Sequence, residues 1–262
     1  MAKLFNKIRK QLVSEKPSAS RTANYLKYAI GEIVLVVIGI LIALQINNWS
    51  EQRKLNKQEA YLLLQLEKEF RADSLGVYRH SWLSDKKVRE GKILRKIFNK
   101  KIEVKKDSIV AMAFYNGKSL LFESYTPTFD EMVSSGSLSV IKSEILKNKI
   151  KSFKKIINQT KSFLYYESQR RKEAYNTHLF KYFEPEIMTH IWLNAEVRPI
   201  SINGIDDFKM DINGFFNDPE TLYQINTIIG VDAELAFTYK NRYLLAIQDI
   251  LNELQIEIDK TQ

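Results

Sequence analysis

The residues in this chain that could do chemistry are few and scattered. Histidine occurs only at 80, 178 and 190, and there is no cysteine. That spacing fits neither the HExxH helix of a zinc protease nor any other paired-ligand pattern, so no metal and no cofactor is expected. Ser134-Ser135-Gly136-Ser137 resembles a nucleophile loop only superficially. It lacks the strand–GxSxG–helix context that exposes a catalytic serine, and its plainer reading is a helix end. Asp130-Glu131 is an acidic pair of the kind a helix dipole favours in its first turn. Asp206, Asp207 and Asp211 do not follow the spacing of an EF-hand loop. No catalytic residue is assigned, and the expectation is a protein that is not an enzyme.

Glu32 differs because of its surroundings. It is the one ionisable residue in YAIGEIVLVVIGILIALQI, residues 28–46, where Ile33 to Leu44 are all apolar or glycine. Nineteen residues rising about 1.5 Å each roughly match the ~30 Å hydrocarbon core of a bilayer. A secretory signal has an apolar stretch of about 7–15 residues followed by small residues at a cleavage site. This stretch ends instead in Leu44-Gln45-Ile46-Asn47-Asn48-Trp49, so it reads as an uncleaved anchor. Tyr25 and Tyr28 at one end and Trp49 at the other suit the interfacial zones. Within the span, Gly39 and Ala43 form a small-xxx-small pair that lets two helices approach closely. Glu32 lies one heptad before Gly39, on a similar face. Two readings stay open: a span–span contact through Glu32, Gly39 and Ala43, or a carboxyl reaching headgroups beside incidental small residues.

Two runs carry a family resemblance. GEIVLVVIGILIALQINNW, leading straight into SEQRK, resembles the start of an uncharacterised family of membrane proteins common in the Bacteroidota, domain of unknown function family 6090. Thr128-Phe129-Asp130-Glu131-Met132-Val133-Ser134-Ser135-Gly136-Ser137-Leu138 is similar to that family's T-x-D-E-hydrophobic-x-S-S-G-x-L run. The resemblance covers about residues 20–60 and 126–150. It implies a Gram-negative inner-membrane protein and brings no activity, cofactor or catalytic residue with it.

Charge sets the expected topology. Residues 1–27 hold seven basic groups and one acidic, a net +6, whereas residues 47–74 hold five of each. The positive-inside bias then puts a basic tail, residues 1–27, in the cytoplasm and residues 47–262 in the periplasm. The absence of thiols suits either compartment. The total of +9 invites a nucleic-acid reading, but residues 75–183 carry a net +13 and residues 184–262 a net −9. Opposite blocks on one chain are expected to face each other or solvent rather than a duplex. Lys147, Lys151, Lys154, Lys155 and Lys161 lie opposite the apolar stripe of their own helix, an ordinary solvated face. The partners expected are the membrane and either a second copy or another envelope protein, with no nucleic acid. Residues 2–13, AKLFNKIRKQLV, read equally as a basic amphipathic helix on an anionic leaflet or as a tail serving topology alone. Ser14 to Arg21 reads as a linker.

The elements that must position these groups are helices. No proline occurs from Asn47 to Asn99, and Leu55, Leu62, Leu66 and Phe70 recur on one side, so the span is expected to continue as a stalk. Gly76 and Gly91 count against its second half at about 1 kcal/mol each. Asp107 is expected to cap a short helix ending at Asn116-Gly117, and Ser119 to Tyr125 to be extended. Thr126-Pro127 should open another helix, with Gly136 closing it in the left-handed region. Ser143 should cap a long helix striped by Leu146, Ile150, Phe153, Ile157, Thr160 and Leu164. One more helix is expected from Asp218-Pro219-Glu220, and a last one from about Asp232 to Asp259. Between Glu184 and Asn217 the pattern fails; Ile202-Asn203-Gly204-Ile205 suits a hairpin turn, and the stretch is either a binding loop or packing filler.

The expected fold is all-α: one transmembrane helix continuing into a stalk and an antiparallel helical bundle with a small irregular or hairpin insert. The expected role is a membrane-anchored scaffold or interaction module of the cell envelope. A sensor ectodomain that signals through a partner is the alternative.

Overall fold

The computed structural model of the chain describes residues 21–193 and 205–261. The segment 2–13, most of the linker after it and Ile202-Asn203-Gly204 lie outside them. The chain divides into two compact units, Met1–Gln58 and Glu59–Gln262.

A single helix, α1 (Arg21–Phe98, 78 residues), carries the apolar segment and continues into the second unit. It already includes Arg21, so the linker expected to end there is shorter. In the first unit every side chain from Ile33 to Leu44 is exposed except Leu35, which is half-buried. None of the most apolar window is covered by protein, and the helix is long and apolar enough to cross a membrane.

The second unit holds the rest of α1, then α2 (Lys106–Gly117), α3 (Pro127–Ser135) and a 3₁₀ turn (Ser137–Val140). Next come α4 (Glu144–Thr160), a π-helical segment (Lys161–Tyr165) and α5 (Tyr166–Leu179). The shorter α6 (Glu186–Leu193), a 3₁₀ turn (Ile205–Asp207) and α7 (Ile212–Asn217) follow. Last are α8 (Pro219–Thr238), a second π-helical segment (Tyr239–Leu244) and α9 (Leu245–Asp259). Among the described residues there is no strand, only an isolated antiparallel bridge between Phe183 and Met210.

Several helix ends form as local chemistry dictates. Ser143 Oγ accepts from the Leu146 amide at 3.2 Å. Asp218 accepts from the Glu220 amide at 2.9 Å, with Pro219 at the first helical position. Asp211 accepts from the Gly214 amide at 2.7 Å, which gives that aspartate a capping role. Gly136 ends α3 at φ +74°, where a Cβ would be strained.

Elsewhere the fold departs from expectation. Lys105, not Asp107, is the cap position of α2; Asp107 sits in its first turn. The helix after Ser143, whose stripe runs to Leu164, passes through a π-helical segment into α5, and the helices expected from Asp218 and Asp232 are one run with a similar segment inside. Among the described residues of 184–217 there are two short helices and a 3₁₀ turn, where an irregular stretch was expected. Lys147 is buried, its ammonium 2.6 Å from Glu144, whereas Lys151 and Lys155 are exposed. On α1, Leu55 is exposed and the buried positions as far as Val77 are Glu59, Leu63, Leu66, Phe70, Asp73 and Val77.

Two apolar clusters form the core. One gathers Leu66 and Phe70 of α1, Phe122, Ile150 and Phe153 of α4, Tyr239, Tyr243 and Leu254. The other gathers Leu94, Phe114 of α2, Tyr175, Phe183, Phe215, Ile225 and Ile228. Both draw on α1, whose residues between Val77 and Leu94 are largely polar.

Candidate functional site

From Glu59 to Leu94 the buried positions of α1 alternate at three- and four-residue spacing, and several of them carry polar side chains. Three carboxylates of α1, the buried Glu59 and Asp73 and the half-buried Glu69, hold the segment between α2 and α4. Asp73 accepts from the Tyr125 amide at 3.0 Å and the Ser124 hydroxyl at 2.5 Å. Glu69 accepts from the Thr128 amide at 3.1 Å and its hydroxyl at 2.6 Å. Glu59 accepts from the Lys142 amide at 2.7 Å and pairs with its ammonium at 2.5 Å. Glu69 therefore caps α3 from another helix, and Thr126 makes no side-chain cap of its own. Burial raises the Asp73 carboxyl above its ordinary range, against the pull of its two donors.

Between the two apolar clusters lies a layer of buried charge. Lys87 of α1 donates to the Lys118 carbonyl. Lys172 of α5 donates to the Asn116 carbonyl at 2.7 Å and to Asp232 of α8 at 2.5 Å. Burial, reinforced by the nearby Lys172 charge, pushes the Lys87 ammonium down to about 7. Burial also lowers Lys172, opposed by Asp232. A lysine neutral near pH 7 is a competent nucleophile or base, but Lys87 is 1% exposed and Lys172 2%. No substrate reaches either as the chain stands, so the layer reads as a polar joint in the core.

The surface offers more. The family-like run Thr128–Leu138 forms α3 and the turn after it, and with α4 it walls an open groove of about 680 Å³. Phe129, Val133 and Leu138 make its floor, and Lys151, Lys154 and Lys155 line its α4 side. Lys154 is held by Asp130 at 3.0 Å and lies 5.9 Å over the Phe129 ring. Among the described residues, Lys151 and Lys155 have no ion-pair partner. An apolar floor with two unmatched cations is suited to an acidic partner that also carries apolar side chains. A second cavity, about 560 Å³, lies beside both π-helical segments, where Thr160 and the exposed Phe163 face Phe237 and Arg242.

The groups singled out in the sequence fall in different places. Glu32, Gly39 and Ala43 are all exposed, and a Cβ on Gly39 would meet nothing within 4 Å. Tyr28 and, more so, Trp49 are exposed, with the Arg53 guanidinium 5.7 Å from the Trp49 ring centroid. The Tyr25 side chain lies outside the described ones. The three histidines are far apart in role. His80 packs edge-on to Phe122 and Tyr239, His178 shares a hydrogen bond with Thr221 at 2.7 Å, and His190 packs on Phe208. Among the described residues no three metal-binding side chains gather. Ser134 and Ser135 sit at the end of α3, as the plainer reading had it. The opposite charge blocks do meet: Lys106 pairs with Asp206, Lys149 with Asp249 and Lys172 with Asp232.

Comparison with known proteins adds one match. A family model described as a family of unknown function (DUF6090) matches residues 32–181, which takes in most of the apolar segment, the carboxylate seam, both walls of the groove and α5. No curated protein and no solved structure matches the chain.

Proposed function

Because the chain belongs to this family of unknown function, membership supplies no activity, and we propose from its own residues that it is a membrane-anchored interaction module rather than an enzyme. The observation that carries this reading is the open groove between α3 and α4, with an apolar floor and unmatched lysines, in a chain whose other unit exposes an uncovered apolar helix. In this reading residues 28–46 span the inner membrane once, the basic tail stays in the cytoplasm and the helical unit faces the periplasm. The charge bias across the span supports that orientation. The helical unit then works as a scaffold that recruits a protein of the envelope.

A second reading, a sensor ectodomain that binds a small ligand, is favoured by the cavity at the π-helical segments, because such segments often mark functional sites. The two readings separate in one experiment. A photo-crosslinking amino acid placed at Val133, and separately at Phe163, reports what touches each site in native membranes. A defined protein adduct at Val133, in a chain that resists alkaline carbonate extraction, is the expected result. Extraction by carbonate, or adducts confined to small molecules at Phe163, would overturn the scaffold reading.

A further inference from the structure

α4 has two opposite flanks, one open and one against α9. On one, Lys151 and Lys155 rim the groove floored by Phe129, Val133 and Leu138, with Val133 53% exposed. On the other, Ile145, Lys149 and Ile156 lie against α9, where Lys149 bridges Asp249 and Glu253 at 3.0 Å each. The outward stripe of α9 is Leu245, Asp249, Asn252, Ile256 and Asp259, every one exposed and all on one side by their three- and four-residue spacing. Leu245 is 62% exposed and Ile256 50%. Asp249 uses only Oδ1 on Lys149, and its side chain is 60% exposed.

One copy thus carries a cationic groove with an apolar floor and, on the far flank of the same helix, an anionic helical face with apolar side chains. We infer that the groove receives the outward face of α9 from a second copy of this chain. Lysines of the groove meet the α9 carboxylates, and its floor takes the exposed leucine and isoleucine, in the manner of an amphipathic helix in an apolar groove. The two surfaces differ and lie on opposite sides of α4, so the contact is head-to-tail and extends into a ring or row rather than closing as a two-fold dimer. Confinement to a membrane raises the effective concentration of copies, so a modest contact suffices. This inference rests on the reading of the groove as an interaction surface, but commits it to self-association.

The natural chain has no cysteine, so a single Lys92→Cys on α1 gives one labelling site. Full-length chains labelled with donor or acceptor are reconstituted in vesicles of neutral phosphatidylcholine, and energy transfer is followed against surface density. Wild type should show transfer that grows with density. Lys151→Glu/Lys155→Glu should raise the density needed for half-maximal transfer at least tenfold, and Asp249→Lys/Asp259→Lys likewise. Mixing the two reversed variants should restore transfer, because each acidic groove then meets a basic helix. Helix content by circular dichroism checks that both variants fold, and Asp259→Lys alone, at an exposed position, is a milder second test. Transfer absent in wild type, unchanged in both reversed variants, or not restored on mixing overturns the inference. Transfer that survives both reversals but falls with Gly39→Ile belongs to the span instead, and it leaves the groove free for another protein.

Discussion

Lys87 puts an amine where solvation is lost, and its consequence is a pH dependence of known sign. Its folded value sits near 7, against roughly 10.4 in an unfolded chain. Between those limits the unfolded chain holds a proton the native one has released, so stability rises with pH across the window. Below about 7 both states are charged and the cost is fully present. The slope is expected to be at most about 1.4 kcal/mol per pH unit, and Lys87→Met should flatten it. Urea titrations in detergent at pH 7 and pH 9 check this; equal slopes for both proteins would refute it. Gly91 is a case of space rather than charge. A Cβ there would lie 2.6 Å from Ile229 Cγ1. Alanine gains about 1 kcal/mol of helix propensity over glycine, but overpacking costs typically 1–3 kcal/mol, so Gly91→Ala should be neutral or destabilising. Trimming Ile229 to alanine should remove the strain, and a double-mutant cycle measures the coupling.

Among the elements, those whose signals are local were legible. Ser143 with the amide three residues on and Asp218 with Pro219 fix helix starts by short-range bonds, and Pro127 and Gly136 bound α3 by their backbone conformation; all stand where the sequence puts them. The second half of α1 was legible only in part, because Gly76 and Gly91 count against the expected stalk; both admit a close neighbour, Phe122 and Ile229. Its buried face was hidden for a related reason, since Glu59, Asp73 and Lys87 sit where apolar residues would announce it. The π-helical segments have no sequence signal, so the continuation of α4 into α5 was not legible and the run of α8 and α9 was expected as two helices. The groove was half visible: the Thr128–Leu138 run stood out, but as a pattern without a partner, because its pairing with the lysine flank of α4 is tertiary. For α4 itself the stripe makes a sharp test. Ile150→Ala or Phe153→Ala should destabilise by about 2–5 kcal/mol, whereas Lys151→Ala should stay within about 0.5 kcal/mol. Equal losses on both faces in urea denaturation would mean that α4 is buried all round.

At the scale of the whole molecule the charges are sorted. The basic middle and acidic end of the chain meet at Lys106, Lys149 and Lys172, which leaves the excess beside the apolar segment to act on topology. Seven basic groups precede that segment and a balanced stretch follows it. Alkaline phosphatase fused after Gln262 is therefore expected to be active in a Gram-negative host. A silent phosphatase, with a cytoplasmic reporter active at the same position, would reverse the orientation and with it the assignment of the helical unit to the periplasm.

The carboxylates of Glu59, Glu69 and Asp73 have a bearing on the order in which the chain is made. Each accepts backbone amides from residues 52 to 83 positions later. The client segment has little means of satisfying itself: Thr126 supplies no cap for α3, and buried amides left without acceptors cost about 1–3 kcal/mol each. Synthesis runs from the N-terminus, so the acceptors emerge on α1 long before the amides that need them. A circular permutant that starts at residue 118, with its former C-terminus linked to the start of α1, would invert that order while leaving these bonds available. Such a chain should reach the same structure, but refold on synthesis more slowly and with more loss to proteolysis.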